Sequence, residues 1–193
     1  SFVIQPVAYQ FRRKAGNVFG EKTFDVFLTI NGIAGPLLLG TAVGTLFTGA
    51  NFTVDRLNLA NGAGSGSATV ISQWTTPWHG LEALGDMRNV ALGLAVMFLA
   101  GMLACQYFMN NIADETLFAR ARRRMLTLAA PFLVFFLTFF VWLLFSDGLA
   151  VDAAGRISAE PYKYLHNMLE MPYVAAALLI GVVSVLWSIY SGW

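Results

Sequence analysis

Few side chains in this 193-residue chain have the type and spacing needed for chemistry. The two histidines, His79 and His166, each stand near one carboxylate at helical spacing: Glu82 three residues after the first, Glu170 four after the second. One imidazole and one carboxylate make an incomplete metal site, and a haem would need His, Met or Cys ligands projecting from facing helices. Both histidines therefore read as hydrogen-bonded or interfacial side chains. Met97, Met102 and Met109 read as packing residues, and so does the lone Cys105, which has no partner for a disulfide. Asp25 is the one carboxylate within an apolar run, in the first turn of its helix, where the positive helix end and nearby Lys22 would stabilise it without a transport role. A proton-entry role for Asp25 is the alternative, because ionisable groups within membrane helices are costly and kept for function.

The elements that must position these residues are long apolar runs. Phe24–Phe47, Val90–Ile112, Met125–Phe145 and the run from Tyr173 to about residue 192 approach or exceed the roughly 20 residues that cross a bilayer core. The composition agrees, with 57% hydrophobic and 12% charged residues and a mean hydropathy of +0.62. The fold class is thus all-α integral membrane, with four full spans at about 24–47, 90–112, 125–145 and 173–192. Ser1–Tyr9 reads as the end of a preceding helix, so the chain reads as one membrane domain that is a fragment of a longer subunit. A net charge of +1 offers no basic footprint for nucleic acid.

Eight of the twelve Lys and Arg fall in two clusters: Arg12, Arg13, Lys14 and Lys22, and Arg120, Arg122, Arg123 and Arg124. The positive-inside rule puts both clusters in the cytoplasm and loops 48–89 and 146–172 outside. Short interfacial helices are expected in the outer loops over Gly80–Met87, after Trp74 and Trp78, and over Pro161–Met171, with Pro161 at the first helical position. The Gly- and Ser-rich stretch Asn61–Thr69 has the composition of a flexible segment and no phosphate-binding pattern. Asp114 and Glu115 are expected to pair with the following arginines within a short loop. Within the spans, Gly32, Gly35, Gly40 and Gly44 suit close helix contact, and Ala177 with Gly181 makes a weaker small-residue pair. Pro36 should kink the first span, with Asn31 as a group able to satisfy the freed carbonyl.

Several segments in order resemble a known family. Gln5-Pro-Val-Ala-Tyr-Gln-Phe-Arg-Arg-Lys14, Leu46-Phe-Thr-Gly-Ala-Asn-Phe52, His79-Gly-Leu-Glu-Ala-Leu84 and Gly93–Ala100 are similar to the middle of subunit II of cytochrome bd quinol oxidases. Tyr107–Ile112 with its following Arg run, Trp142–Gly148 and Glu160–Asn167 continue the likeness. The resemblance implies an eight-span subunit of which this chain is about the central half. It implies a bacterial inner-membrane complex that oxidises quinol and reduces oxygen to water, with haem b, haem d and the quinol loop in subunit I. This chain would bind no cofactor itself, carry no catalytic residue, pack against subunit I and membrane lipid, and help provide proton access from the cytoplasm. Inner-surface or proton-entry contacts would fall at Asp25 and Gln10. At Gln10 many members carry a carboxylate, and glutamine cannot titrate, so a path using this position would lack its proton carrier here. Members usually have Arg where Gln5 stands. A polytopic transporter built around the Pro36 kink and a structural subunit of another complex stay open as readings of the residues alone.

Overall fold

The computed structural model describes residues 3–54, 72–151 and 155–192. The Gly- and Ser-rich stretch Asn61–Thr69, with Asp55, Arg56, Asp152 and Trp193, lies outside them. Six α-helices account for most of the described chain: α1 (Ile4–Phe11), α2 (Glu21–Thr48), α3 (Met87–Asn111), α4 (Glu115–Leu144), α5 (Lys163–Glu170) and α6 (Pro172–Ser191). Helices α2, α3, α4 and α6 are long and apolar enough to cross a membrane. The chain is an all-α integral membrane fold, as its composition demands.

Neighbouring helices run antiparallel. Residues near the end of α2 face the start of α3, and Phe98 of α3 stacks on Phe135 of α4 with ring centroids 5.9 Å apart. The core lies between α3 and α4, around Ala95, Met102, Met125, Ala129 and Phe132, with Met102 and Met125 fully buried. Cys105 and Met109 pack against this cluster. Small residues bring α2 and α3 together. A Cβ built on Gly40 would lie 2.8 Å from the Gly93 Cα, and one on Gly44 2.6 Å from the Asn89 Oδ1. One on Gly93 would collide with the Thr41 hydroxyl and with the Leu37 carbonyl oxygen at 2.8 Å. Only glycine permits this approach. Asn89, 2% exposed, accepts a hydrogen bond from the Thr48 hydroxyl at 2.9 Å across the same seam. A polar pair so placed needs mutual satisfaction, since lipid offers none.

Other glycine expectations turn out differently. Cβ atoms on Gly32, Gly35 and Gly181 would meet nothing within 4 Å. Gly32 and Gly35 therefore make no close helix contact here, and Gly181 with Ala177 lines an apolar cleft of about 440 Å³ between α6 and the α3–α4 pair. Helix α2 continues through Pro36. Asn31 does not turn back toward the proline; its Nδ2 donates to the Gln5 Oε1 on α1 at 3.3 Å. The carbonyl freed by proline is four residues back, and a side chain reaching across to α1 finds a better-placed acceptor.

The connections divide the molecule into a basic end and a hairpin end. At the hairpin end, β1 (Phe52–Val54) pairs antiparallel with β2 (Ser72–Trp74), and β3 (Gly148–Val151) with β4 (Ile157–Glu160). Sequence patterning does not reveal these two-stranded hairpins, because a strand of three or four residues carries almost no periodic signal. The first expected interfacial helix is only a short 3₁₀ turn over Leu81–Gly85, and its last residue, Met87, already belongs to α3. The second is α5, but Pro161 is not its first residue: Tyr162 intervenes in the left-handed region at φ 55°, and the helix begins at Lys163. Phe47 ties this end together through edge contacts with Phe139 and Tyr164, at 5.9 and 5.8 Å. At the basic end, Arg120–Arg124 do not lie in a loop. They sit in the first three turns of α4, which starts ten residues before its apolar run because nothing between Glu115 and Arg124 breaks a helix.

Gly93→Val should force α2 and α3 apart. We expect a loss of about 1–3 kcal/mol in stability, read as a lowered thermal midpoint of the purified protein, against little change for Gly35→Val, which projects into open space.

Candidate functional site

Helix α1 ends at a tight connection that turns the chain back into α2, and the turn is built by one side chain. Asn17 accepts from the Phe19 and Gly20 N–H groups at 3.0 and 3.1 Å and donates its Nδ2 to the Arg12 carbonyl at 3.1 Å. This fold-back sets Arg12, at the end of α1, over the first turns of α2. Glu21 and Asp25, four residues apart on one helix face, both meet it. Arg12 Nε lies 2.6 Å from Asp25 Oδ1 and 3.3 Å from Glu21 Oε1. The Nε approach is a charge contact without hydrogen-bond alignment; the directional bond is the one Nη2 donates to Asp25 Oδ2 at 3.2 Å. Arg13 adds a second cation 3.5 Å from Glu21. The partner of Asp25 is therefore Arg12 and not Lys22, because the reversal of the chain brings α1 closer than a neighbour three residues away on the same helix.

Gln10 lies exposed on α1, and no hydrogen bond joins it to Asp25 among the described residues. The two residues singled out in the sequence are thus not brought into one hydrogen-bonded unit. What links α1 to α2 is the Arg12–Asp25 pair at the basic end and the Gln5–Asn31 pair deeper in the bundle.

Asp114 does not depend on the arginines for its role. It caps α4, accepting from the Leu117 N–H at 2.8 Å and the Thr116 hydroxyl at 2.6 Å, and these bonds, that of Thr116 first, hold its carboxyl below the usual range. At the hairpin end, Asp86 caps α3 and grips Arg88, which lowers its pKa in the same sense. Arg88 also lies over the Trp142 ring at 5.0 Å, joining α3 to α4. Neither histidine is placed as a span ligand. His79 sits at φ 49° in an exposed turn, and His166 Nδ1 contacts Glu160 Oε1 at 3.1 Å. Lys163 Nζ donates to the other oxygen of Glu160 at 2.7 Å. Glu160 therefore joins β4 to α5, and its pKa is lowered, first by Lys163 and then by His166. The carboxylate that meets a histidine is thus Glu160, at the end of β4, and not Glu82 or Glu170, the two at helical spacing. Glu82 instead accepts from the Gly80 N–H at 2.8 Å.

Two structurally important residues, Asn89 and Glu160, are not among those that sequence reasoning singles out. Asn89 had a signal, a polar residue at helical spacing from Gly93 at the edge of an apolar run. Glu160 had one too, a lysine three residues on, although the left-handed turn at Tyr162 that seats both partners at the start of α5 is not legible.

The ordered segments that resemble one family find their match along the whole of this bundle: the family model for cytochrome bd terminal oxidase subunit II covers residues 1–192. The chain belongs to that family. Comparison with curated proteins gives no match. Subunit II is thus a transmembrane component of a respiratory quinol oxidase, an oxidoreductase complex that uses haems and in which it has a subunit I partner.

The depressed Glu160 pKa gives a pH dependence with a definite sign. The ordinary value is 4.5, so stability from this contact is complete above that value and is lost as the pH falls through the lower folded value. Hydrogen exchange corrected for intrinsic rate should show β4 and the start of α5 opening in that acid window. Glu160→Gln should remove the step and leave those amides less protected at neutral pH.

Proposed function

We propose that subunit II supports catalysis housed in subunit I, where haem b and haem d receive electrons from quinol and reduce oxygen to water. The observation that carries this reading is the family match along residues 1–192, taken with where the imidazoles lie. The donor set of this chain does not fit a haem. Both histidines stand at the hairpin end outside the four long helices, one in a strained turn and one engaged by Glu160, while Met102 and Met125 are buried against each other's helices. The chain's own contribution is then a stiff, apolar wall for its partner, within the bacterial inner membrane. Lys and Arg collect at the end carrying Arg12 and Arg120–Arg124, which supports a cytoplasmic basic end and an outer hairpin end.

Asp25 fits an inner-surface structural contact better than a proton carrier. Its carboxylate is committed to a guanidinium, and Gln10, on α1, cannot titrate. Any proton access given by this chain would have to use other groups or water along its surface.

Two measurements test the haem assignment and the role of Asp25. In the complex purified with subunit I, His79→Ala and His166→Ala should leave the haem b and haem d spectra and quinol-dependent oxygen uptake intact; loss of one haem band in either variant would sink the assignment of the haems to the partner. Asp25→Asn should cost about 0.2–1 kcal/mol in stability, as partly exposed ion pairs do, with the pH profile of oxygen uptake unmoved. A shifted profile would make Asp25 a proton carrier after all.

A further inference from the structure

At the basic end, α3, α4 and α6 converge around a pocket of about 630 Å³. Gln106 and Asn110 of α3, Phe118 and Arg122 of α4, and Trp187 and Ser191 of α6 line it. Some of its polar groups are already used. Gln106 Nε2 donates to the Ser188 hydroxyl, the Ser191 hydroxyl donates to the Ser188 carbonyl at 3.1 Å, and Arg122 Nε donates to the Gly192 carbonyl at 3.1 Å. Among the described residues, the two terminal nitrogens of Arg122 and the side-chain amide of Asn110 have no hydrogen-bond partner. Among the described residues, no carboxylate lines the pocket. Asp114, which precedes the arginines, is held at the start of α4 by the two bonds its Oδ1 accepts, from Leu117 N–H and the Thr116 hydroxyl, and is not among the residues lining the pocket.

The depth of this pocket is set by the helices that form it. Arg122 lies three residues before the buried Met125, about 4.5 Å along the helix axis, where the apolar core begins. Trp187 and Tyr190, each 68% exposed with ring centroids 6.0 Å apart, stand at the matching end of α6. Aromatic side chains so placed mark the level of lipid headgroups. Arg120, Arg123 and Arg124 are exposed around it and raise the local positive potential.

We propose that this pocket is a binding site for an anionic glycerophospholipid, its phosphate on the free Arg122 nitrogens and the Asn110 amide and its apolar part against Phe118 and Trp187. A guanidinium fork matches phosphate oxygens, and basic pockets between transmembrane helices take anionic headgroups. An apolar helix in the same place would bury the unpaired Arg122 nitrogens at a cost that hydrocarbon contact does not offset. A free inorganic anion would leave the apolar half of the lining in water. An amphiphile satisfies both halves, and the same three helices line a second, apolar cleft nearer the hairpin end.

The test uses the intact complex in detergent, with lipid retention followed by native mass spectrometry and thermal midpoint. Phosphatidylglycerol should bind in preference to phosphatidylcholine and raise the midpoint. Arg122→Gln should weaken phosphatidylglycerol about five-fold, the effect of one basic contact, while Arg123→Gln, with the same loss of charge outside the lining, should have a smaller effect. Asn110→Leu leaves the Arg122 bond to α6 in place and should also weaken binding, which decides the matter if Arg122→Gln fails to assemble. Equal binding of the two lipids, equal effects of the two arginine variants, or an equal response to inorganic phosphate would each overturn the site.

Discussion

The close approach of α2 to α3 is the constraint on which the rest depends. Gly40, Gly44 and Gly93 strip the seam of side chains, so backbone meets backbone, and the Asn89–Thr48 hydrogen bond closes one end of it. In lipid there is no hydrophobic drive to hold two apolar helices together, so association rests on contact area and on polar groups that satisfy one another. Once α2 is seated on α3, α1 is set by the Arg12 and Gln5 contacts with α2, and α4 by the aromatic and methionine packing on α3. The asymmetry that follows is pronounced: α2, α3 and α4 pack tightly, whereas α6 leaves a cleft and is held chiefly at its basic end by Gln106, Arg122 and the Met125 side chain.

This arrangement separates rigid structure from chemistry. Charged groups on the described chain gather at the two ends, where they hold elements in place. Asp114 and Asp86 cap helices, Arg88 bridges α3 to α4, Glu160 locks a hairpin to α5, and Arg12 fastens α1 to α2. Such a chain suits the supporting role proposed above. His79 sits in a turn, His166 against Glu160 and Asp25 in an ion pair with Arg12.

The four spans, the all-α class and the ordered segments that pointed to the subunit II family were legible because bilayer thickness imposes a length and hydrophobicity that few other constraints produce. Gly40 and Gly44 were legible as one half of a helix contact, since spacing by four residues puts them on one face. Their counterparts Gly93 and Asn89 were not, because nothing in a single chain says which faces of two helices will meet. Gly32, Gly35 and the Ala177–Gly181 pair have the same local signature yet make no close contact. A small residue permits close approach without requiring it.

The sequence by itself determined what each segment is: where apolar runs begin and end, where basic residues collect, and which family the chain resembles, all of them properties of neighbours along the chain. Tertiary structure alone decided who meets whom. It gave Asp25 to Arg12 instead of Lys22, turned Asn31 toward Gln5, set His166 against Glu160 and not Glu170, and made β-hairpins of short loop segments. The physical reason is range. Hydropathy and helix propensity act over a few residues, whereas an ion pair or a polar pocket depends on the folding back of segments 13 to 82 residues apart, as in Arg12 with Asp25 and Gln106 with Ser188.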